Sequence, residues 1–255
     1  MILSGKVALV TGAGHGIGAA IAERLAQQGA RVAITYRHDK AGADEVIKKC
    51  RAAGAEARAY HVADLSDDAQ TAAAFAHVLA DFGGLDIVVA NASGAGSTVG
   101  SEDLHDLNLD EWQENLKENL LVAVTTTKHA VKAIDKNDKG GKIVLIGSVL
   151  GLDGAGNPNI SAYSAGKAAT HNFGRTIAKT LAPKVIVNVV APGRCWSKAY
   201  DNAAKETIAA KFAPNKHGRP IDWDEIAHAV QMVLENDSII GQVINVEAGF
   251  TLLNA

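Results

Sequence analysis

The chain has 255 residues, 47 % of them hydrophobic and 21 % charged, so it can bury a full core and is not expected to be disordered. Its 25 Lys and Arg against 28 Asp and Glu give a net charge of −3 without a basic run, which makes a nucleic-acid partner unlikely. Cys50 and Cys195 are too few for a disulfide framework and favour a reducing compartment, so we expect a cytoplasmic protein.

No segment of the sequence predicts membrane association. The longest apolar runs fall far short of the ~20 residues needed to span a bilayer. The first residues lack a basic segment followed by a long apolar stretch, so we expect no targeting leader and no membrane partner.

Short β-branched apolar runs alternate with longer, Ala-rich segments of helical spacing. The predicted strands are 7–10, 32–35, 87–89, 143–146, 185–190 and 243–246, and the predicted helices are 17–29, 41–53, 67–82, 110–135, 162–182 and 222–235. Continuous apolar strands indicate burial on both faces, and their alternation with helices is typical of parallel βαβ units. No linker divides the chain, so we predict one α/β domain over residues 1–255. Its expected architecture is a doubly wound, Rossmann-type parallel sheet with helices on both faces.

A glycine-rich turn follows the first predicted strand. Its residues are Gly12, Gly14, His15, Gly16, Ile17 and Gly18. Glycines allow a tight turn and let a pyrophosphate approach the N-terminus of the next helix, where free N–H groups and the helix dipole favour anions. The turn therefore predicts a dinucleotide site, in which His15 could also donate to a phosphate. The alternative is a glycine-rich turn that binds no ligand.

The end of the second predicted strand bears on which dinucleotide is bound. It carries Tyr36 and Arg37, and no carboxylate occurs before Asp39. A carboxylate at this point would hold the ribose 2′-hydroxyl of NAD(H), whereas an arginine could pair with the 2′-phosphate of NADP(H). We therefore favour NADP(H) over NAD(H). The alternative is that Arg37 is solvated and Asp39 reaches the ribose.

Two tyrosines are followed by a lysine four positions later, Tyr36 with Lys40 and Tyr163 with Lys167. This spacing places both side chains on one face only within a helix. Tyr36 ends a predicted strand, so that match is interpreted as incidental. Tyr163 begins an Ala-rich predicted helix shortly after a strand and Ser148, which favours a functional pair.

At these residues the chain resembles the short-chain dehydrogenase/reductase family in its compact single-domain form. The resemblance covers essentially the whole length. Its motifs are Thr11-Gly-x-x-x-Gly16-x-Gly18, Asp64, Asn91-Ala92, Asn119, Ser148, Tyr163-x-x-x-Lys167, Asn188 and Pro192-Gly193. Each is weak evidence alone, but together in this order they are very specific.

The resemblance implies hydride transfer between a nicotinamide cofactor and a small carbonyl or alcohol substrate. Tyr163 would donate the proton, Lys167 would lower the pKa of Tyr163 and hold the cofactor ribose, and Ser148 would bind the substrate oxygen. Asn119 would keep a water relay behind the lysine.

The resemblance also implies further cofactor contacts and an assembly. Asp64 and its neighbour Leu65 would contact the adenine, Asn91 would line the cofactor, and Pro192 with Gly193 would lie near the nicotinamide. A homotetramer is expected, with the helices predicted at 110–135 and 162–182 paired across one interface.

The sequence departs from the family pattern in four places. The usual Asn-Asn-Ala-Gly reads Ala90-Asn91-Ala92-Ser93, and the usual Asp-Gly-Gly near the end reads Glu247-Ala248-Gly249. The step from Ser148 to Tyr163 is about two residues longer than usual. Ser197 stands where the family often has a threonine. The substrate and the physiological direction therefore stay open.

Three other readings are less favoured. The nine histidines include no His-Glu-x-x-His motif, and no Cys-x-x-Cys is present, so no metal site is predicted. A non-catalytic, redox-responsive regulator would need neither Ser148 nor Tyr163. An epimerase of the extended branch would carry a further C-terminal domain, for which 255 residues leave no room.

Overall fold

The computed structural model describes residues 1–94, 107–137, 139–153, 155–197, 200 and 203–253. Within these ranges, seven strands form one parallel sheet in the order β3-β2-β1-β4-β5-β6-β7. The strands are β1 (Val7–Val10), β2 (Arg31–Tyr36), β3 (Ala57–His61), β4 (Ile87–Ala90), β5 (Gly141–Ile146), β6 (Val185–Pro192) and β7 (Val243–Val246). The strand order reverses between β1 and β4, which is where such sheets bind ligands.

Helices cover both faces of this sheet. They are α1 (Gly16–Gln27), α2 (Lys40–Ala52), α3 (Asp68–Phe82), α4 (Leu109–Leu116), α5 (Val122–Ile134), α6 (Ser161–Leu181), α7 (Lys205–Phe212) and α8 (Trp223–Glu235). Successive residues of β1 point to opposite faces, so Ala8 packs with α1, α2 and α8 while Leu9 packs with α3, α5 and α6. The predicted fold class, a doubly wound Rossmann-type α/β sheet, is confirmed. None of the described helices combines the length and the apolar character that crossing a bilayer requires.

Two described elements were not predicted. The strand β3 forms one edge of the sheet. Its residues range from buried to exposed and include Arg58 and His61, so it lacks the apolar run that marks the other strands. The helix α7 is largely exposed and buries only Phe212, which gives it almost no periodic apolar signal. Both are stabilised by tertiary context rather than by a pattern in the sequence.

The single helix predicted over 110–135 is interrupted in the structure. A π-helical turn, Lys117–Leu121, separates α4 from α5. Such turns widen the helix by one residue and often occur at functional sites. Asn119, a residue of the family pattern, lies within this turn and is buried.

Candidate active site

The glycine turn lies at the carboxyl end of β1, where it contacts the loop after β4. Gly12 has a φ of +63°, and a Cβ there would lie 2.8 Å from Cα of Ala92. A Cβ on Gly18 would lie 2.5 Å from the side-chain nitrogen Nδ2 of Asn91. Any larger residue at either position would force the two loops apart, so the sequence needs glycine for this close approach.

Hydrogen bonds hold the same two loops together. Nδ2 of Asn91 donates to the carbonyl oxygens of Thr11 (2.9 Å) and Gly12 (3.0 Å). The hydroxyl of Thr11 accepts from the backbone N–H groups of Asn91 and Ala92, both at 3.1 Å. The single asparagine of this loop therefore braces the glycine turn directly.

A cleft of about 640 Å³ runs from the glycine turn across the ends of β2 and β3. Of the predicted cofactor residues, the structure brings these together along the cleft: Gly12, Gly14, His15, Gly16, Ile17, Gly18, Tyr36, Arg37, Asp64, Leu65 and Asn91. Pro192 and Gly193 do not line it. Pro192 is buried at the end of β6, and Gly193 lines a neighbouring pocket.

Two ion pairs cross the cleft at its β2–β3 end. Nη1 of Arg37 lies 3.4 Å from Oε1 of Glu118, and Nζ of Lys117 lies 3.2 Å from Oδ2 of Asp64. The hydrogen bond from Ser66, followed by the contact with Lys117, lowers the pKa of Asp64. Lys117 and Glu118 belong to the π-helical turn and were not predicted as site residues.

Asp39, the alternative ribose ligand, also lines the cleft but caps the next helix. Its Oδ1 accepts a hydrogen bond of 2.8 Å from the backbone N–H of Gly42 at the start of α2. An N-cap of this kind contributes about 1 kcal/mol to helix stability, which gives the carboxylate a structural role.

The three catalytic candidates come together at the carboxyl end of β5. Ser148 follows β5 by two residues, and its side chain lies close enough to the hydroxyl of Tyr163, in the first turn of α6, to lower the pKa of that hydroxyl. Lys167 lies one helical turn later, with Nζ 5.5 Å from the centre of the Tyr163 ring. Nζ donates to the carbonyl oxygen of Ile146 at 3.2 Å.

Burial dominates the electrostatics of this group. It lowers the pKa of Lys167, whose residue is 2 % exposed, to about 8. Burial also raises the pKa of Tyr163, and the hydrogen bond with Ser148 opposes that rise. In the structure the contribution that lowers the pKa of Tyr163 comes from Ser148, and the lowering by Lys167 stays a prediction.

Asn119 is buried against Lys167's helix. Its Nδ2 donates to the backbone oxygen (3.0 Å) and to Oδ1 (2.9 Å) of Asn115. Its own Oδ1 is buried and has no hydrogen-bond partner in the structure. A buried acceptor of this kind is what an ordered water satisfies, and the relay through Asn119 stays a prediction.

A second pocket of about 270 Å³ is lined by two of the catalytic candidates, Ser148 and Tyr163. Its described lining residues are Ser148, Val149, Leu150, Asn157, Ile160, Tyr163, Gly193, Arg194, Lys211 and Phe250. The aromatic residues Trp196, Tyr200 and Phe212 pack on one another with ring centres 5.6–6.4 Å apart. The pocket therefore combines a reactive end, an apolar wall and two cationic side chains.

A buried histidine, His171, lies directly behind Ser148. Its Nε2 accepts a hydrogen bond of 3.3 Å from the backbone N–H of Ser148. Burial, together with the charge of Lys167, lowers the pKa of His171 to about 4. The neutral ring thus connects the turn that follows β5 to helix α6.

We expect His171→Val to lower kcat about tenfold without changing cofactor affinity. The buried N–H of Ser148 would lose its acceptor, which costs about 1–3 kcal/mol of stability and loosens the serine. His171→Gln, which retains an acceptor, should recover most of the lost kcat. Steady-state kinetics and chemical unfolding of both variants test this, and equal kcat in the valine variant and the wild type would contradict it.

The low pKa of His171 also predicts a pH effect on stability. The unfolded state binds a proton near pH 6.5 and the folded state near pH 4. The stabilisation is therefore present above pH 6.5 and is lost as the pH falls towards 4. The difference in unfolding free energy between wild type and His171→Gln should shrink over that interval.

Several residues of the site carried no detectable signal in the sequence. Lys117 and Glu118 gain their significance from a π-helical turn, and His171 gains it from facing a strand end. Arg194 is marked in the sequence only by its position directly after the Pro192-Gly193 motif. Among the described residues, no group of three or more His, Cys, Asp or Glu side chains is arranged to hold a metal ion.

Comparison with known proteins agrees with this geometry. Residues 6–207 match the family model of the short chain dehydrogenases. The chain is 35 % identical over 249 residues to cis-4-hydroxycyclohexanecarboxylate dehydrogenase of Sinomonas cyclohexanicum, covering 96 % of each protein. It is 34 % identical over 254 residues to a 3-oxoacyl-[acyl-carrier-protein] reductase of Synechocystis sp., covering 98 % of each.

Among solved structures, a short chain dehydrogenase from Burkholderia cenocepacia in complex with NADP matches with a TM-score of 0.86 and 33 % identity, over 98 % of this chain and all of that one (100 %). Membership of one family explains three features together: the sheet order, the glycine turn at the point where that order reverses, and the serine–tyrosine–lysine group. The chain belongs to the short-chain dehydrogenase/reductase family, whose members are oxidoreductases.

Proposed function

We propose that this protein transfers a hydride between NADP(H) and a carbonyl or alcohol substrate, with Tyr163 as general acid and base. One observation carries the proposal. Ser148 and Tyr163 lie together in the wall of one pocket, with the ammonium-bearing Lys167 buried one helical turn away. A single domain, residues 1–255, would carry both cofactor binding and catalysis.

The residues of the cleft fit a dinucleotide. The glycine turn leaves space at the N-terminus of α1, where backbone N–H groups favour a pyrophosphate. The nicotinamide, when bound, supplies or accepts the hydride. Lys167 would bind the adjoining ribose hydroxyls, since the structure gives its Nζ one hydrogen bond, to the carbonyl of Ile146.

The protein's own groups handle the proton and the developing charge. Ser148 would donate to the substrate oxygen, and Tyr163 would give that oxygen a proton in reduction or remove one in oxidation. A phenol with a raised pKa is a poor base, so oxidation requires a cation close to Tyr163. Lys167, whose Nζ lies over the Tyr163 ring and whose pKa is about 8, would supply that charge near neutral pH.

A panel of ketones and secondary alcohols, assayed with each cofactor by the absorbance of the reduced nicotinamide, tests the proposed activity. Reduction or oxidation that requires Tyr163 would support it. The competing function, a non-catalytic regulator that only binds the dinucleotide, predicts tight cofactor binding without turnover of any substrate in the panel.

The cofactor preference for NADP(H) rests on Arg37 and Asp39. Arg37 lies at the cleft with its side chain 55 % exposed, while Asp39 caps α2. Glu118 is paired with Arg37, so a 2′-phosphate would have to compete with this carboxylate for the guanidinium. The matched solved structure that contains NADP supports the same preference.

We expect NADPH to bind at least about tenfold more tightly than NADH, since one charge-assisted hydrogen bond contributes about 1.5–3 kcal/mol. Arg37→Ala should remove most of that difference while leaving NADH affinity nearly unchanged, and added salt should reduce it. Arg58→Ala is the matched control, because Arg58 is similarly exposed (50 %) and is paired with Glu56 and Asp81. Fluorescence titration would contradict the assignment if NADH bound as tightly as NADPH.

The substrate class is proposed from the relatives and from the pocket. The relatives named above act on a hydroxycyclohexanecarboxylate and on 3-oxoacyl groups, according to their names. A ketone or secondary alcohol fits the paired hydroxyls of Ser148 and Tyr163. We expect the substrate to resemble those of 3-oxoacyl reductase-like or of sugar- and polyol-dehydrogenase-like members of the family.

We also propose a cytoplasmic homotetramer. Leu109 and Leu121, on α4 and in the π-helical turn, are 68 % and 49 % exposed, which suits helices that are covered by a partner. Both cysteines, Cys50 and Cys195, are unpaired, as expected in a reducing compartment. Light scattering at micromolar concentration should give four times the chain mass, and a monomer would contradict the assembly.

A further inference from the structure

The pocket that contains Ser148 and Tyr163 also carries positive charge. Arg194 and Lys211 line it, and its described lining includes no aspartate or glutamate. The apolar residues Val149, Leu150 and Ile160 belong to the same lining. A bound molecule would therefore meet proton donors at one point and positive charge at another.

Arg194 is held in place by its backbone and by its side chain. Its carbonyl oxygen accepts from the backbone N–H of Ile221 at 3.0 Å and from Nδ2 of Asn215 at 3.4 Å. Nη1 of its guanidinium donates to the carbonyl oxygen of Lys211 at 2.7 Å, and the guanidinium carbon lies 4.8 Å from the centre of the Phe250 ring. The group is thus positioned before any ligand arrives, which lowers the cost of binding one.

No acid among the described residues forms an ion pair with Arg194. Within the described ranges, Arg194 and Lys211 form no ion pair, whereas Arg219 nearby is paired with Glu225 at 2.8 Å. Glu247, the acid packed under Gly193, accepts instead from the backbone N–H of Thr251 at 2.7 Å. Apart from the bond to Lys211, the part of the chain that the structure describes offers no acceptor for the guanidinium N–H groups, whose fork geometry matches a carboxylate.

We propose that the substrate carries a carboxylate that binds Arg194, with Lys211 adding to the positive field. The proposal rests on the proposed function, because it names the substrate class of the same site. The carbonyl or hydroxyl that reacts lies at Ser148 and Tyr163, an apolar segment contacts the wall formed by Val149, Leu150 and Ile160, and the carboxylate lies at the guanidinium. The substrate class is accordingly that of oxo- and hydroxycarboxylic acids.

The first test compares matched pairs of ketones. With NADPH in excess, kcat/KM is measured for 4-oxocyclohexanecarboxylate and its carboxamide, and for levulinate and its carboxamide. We expect the wild type to favour each carboxylate at least about tenfold, the value of one charge-assisted hydrogen bond. Arg194→Gln should reduce this ratio to about one by raising KM for the carboxylate, and Arg194→Lys should restore part of it.

Lys205→Gln is the matched control, since Lys205 lies on the same helix as Lys211 but does not line the pocket. The carboxylate preference should be unchanged in that variant. An equal loss of activity towards carboxylate and carboxamide in Arg194→Gln would mean that Arg194 only supports the fold, and would overturn the proposal.

A second measurement does not depend on turnover. Binding of cyclohexanecarboxylate and of cyclohexanecarboxamide to the enzyme saturated with NADP⁺ is followed by ligand-observed NMR. Preferential binding of the carboxylate that is lost in Arg194→Gln supports the proposal even if no ketone is reduced, in which case only the proposed function fails. Equal binding of the two compounds, or binding of neither, overturns the carboxylate site.

Discussion

Replacing Tyr163 with phenylalanine should lower kcat by about 10²–10⁴-fold, the usual contribution of a positioned general acid. The substitution removes only the hydroxyl beside Ser148 and leaves the ring packed beside Lys167. Affinity for NADPH should stay near that of the wild type, because the ring and the lysine are retained. Single-turnover kinetics and a fluorescence titration of the cofactor measure the two effects separately.

The control for this variant is Tyr60→Phe. Tyr60 also donates its hydroxyl to a side chain, to Asp81 at 2.7 Å, but it lies on the edge strand β3. Its loss should leave kcat unchanged. Substantial turnover of a good substrate by Tyr163→Phe would show that another group supplies the proton, and the assignment of Tyr163 would be wrong.

Replacing Lys167 with methionine should impair both catalysis and cofactor binding. Its ammonium lies near the Tyr163 ring and would also hold the ribose. We therefore expect kcat/KM to fall by more than about 10²-fold and NADPH affinity to fall by about tenfold. Lys40→Met is the matched control, because Lys40 belongs to the other Tyr-x-x-x-Lys match but is exposed and paired with Asp44. Cofactor affinity equal to that of the wild type in Lys167→Met would contradict the ribose contact.

Stability measurements show whether a loss of function in Lys167→Met is a folding defect. The buried lysine has a pKa of about 8 in the folded chain, against 10.5 for an unburied lysine side chain. The unfolded state therefore binds more protons between these values, and this lysine costs stability increasingly as the pH falls from 10.5 to 8. Lys167→Met should consequently be at least as stable as the wild type at neutral pH.

The elements with a strong apolar period could be predicted from the sequence, and those stabilised by context could not. The buried strand β4 and residues Ile143–Ile146 of β5 are continuous apolar runs, and the prediction placed both strands within a few residues. The edge strand β3 contains Arg58 and His61 and resembles a loop in composition. No residue between 110 and 135 breaks a helix, so the π-helical turn at Asn119 left no signal either.

The residues of the site divide in the same way into those that the sequence predicts and those that it does not. The spacing of Ser148, Tyr163 and Lys167 depends on one strand end and one helical turn, and both can be predicted from neighbouring residues in the sequence. The pairing of Arg37 with Glu118 joins residues 81 positions apart, and that of Lys117 with Asp64 depends on the same packing. Such contacts exist only once α4 has docked on the sheet, so no local pattern predicts them.

The reversal of strand order beside β1 also constrains how the chain folds. β1 pairs on one side with β2, where Ala8 faces Val32, and on the other with β4, where Ala8 faces Ile87. The first pairing closes a short loop, whereas the second closes one of about 80 residues and costs more chain entropy. The brace from Asn91 to Thr11, 80 positions apart, forms only after that second closure.

A nascent chain therefore presents its glycine turn long before that turn is held by its partner loop. A dinucleotide that needs the braced turn binds the completed sheet and not the earlier intermediate. Because a ligand stabilises only the state that it binds, the cofactor should act on the last stage of folding, slowing the unfolding of the finished sheet without speeding its first steps.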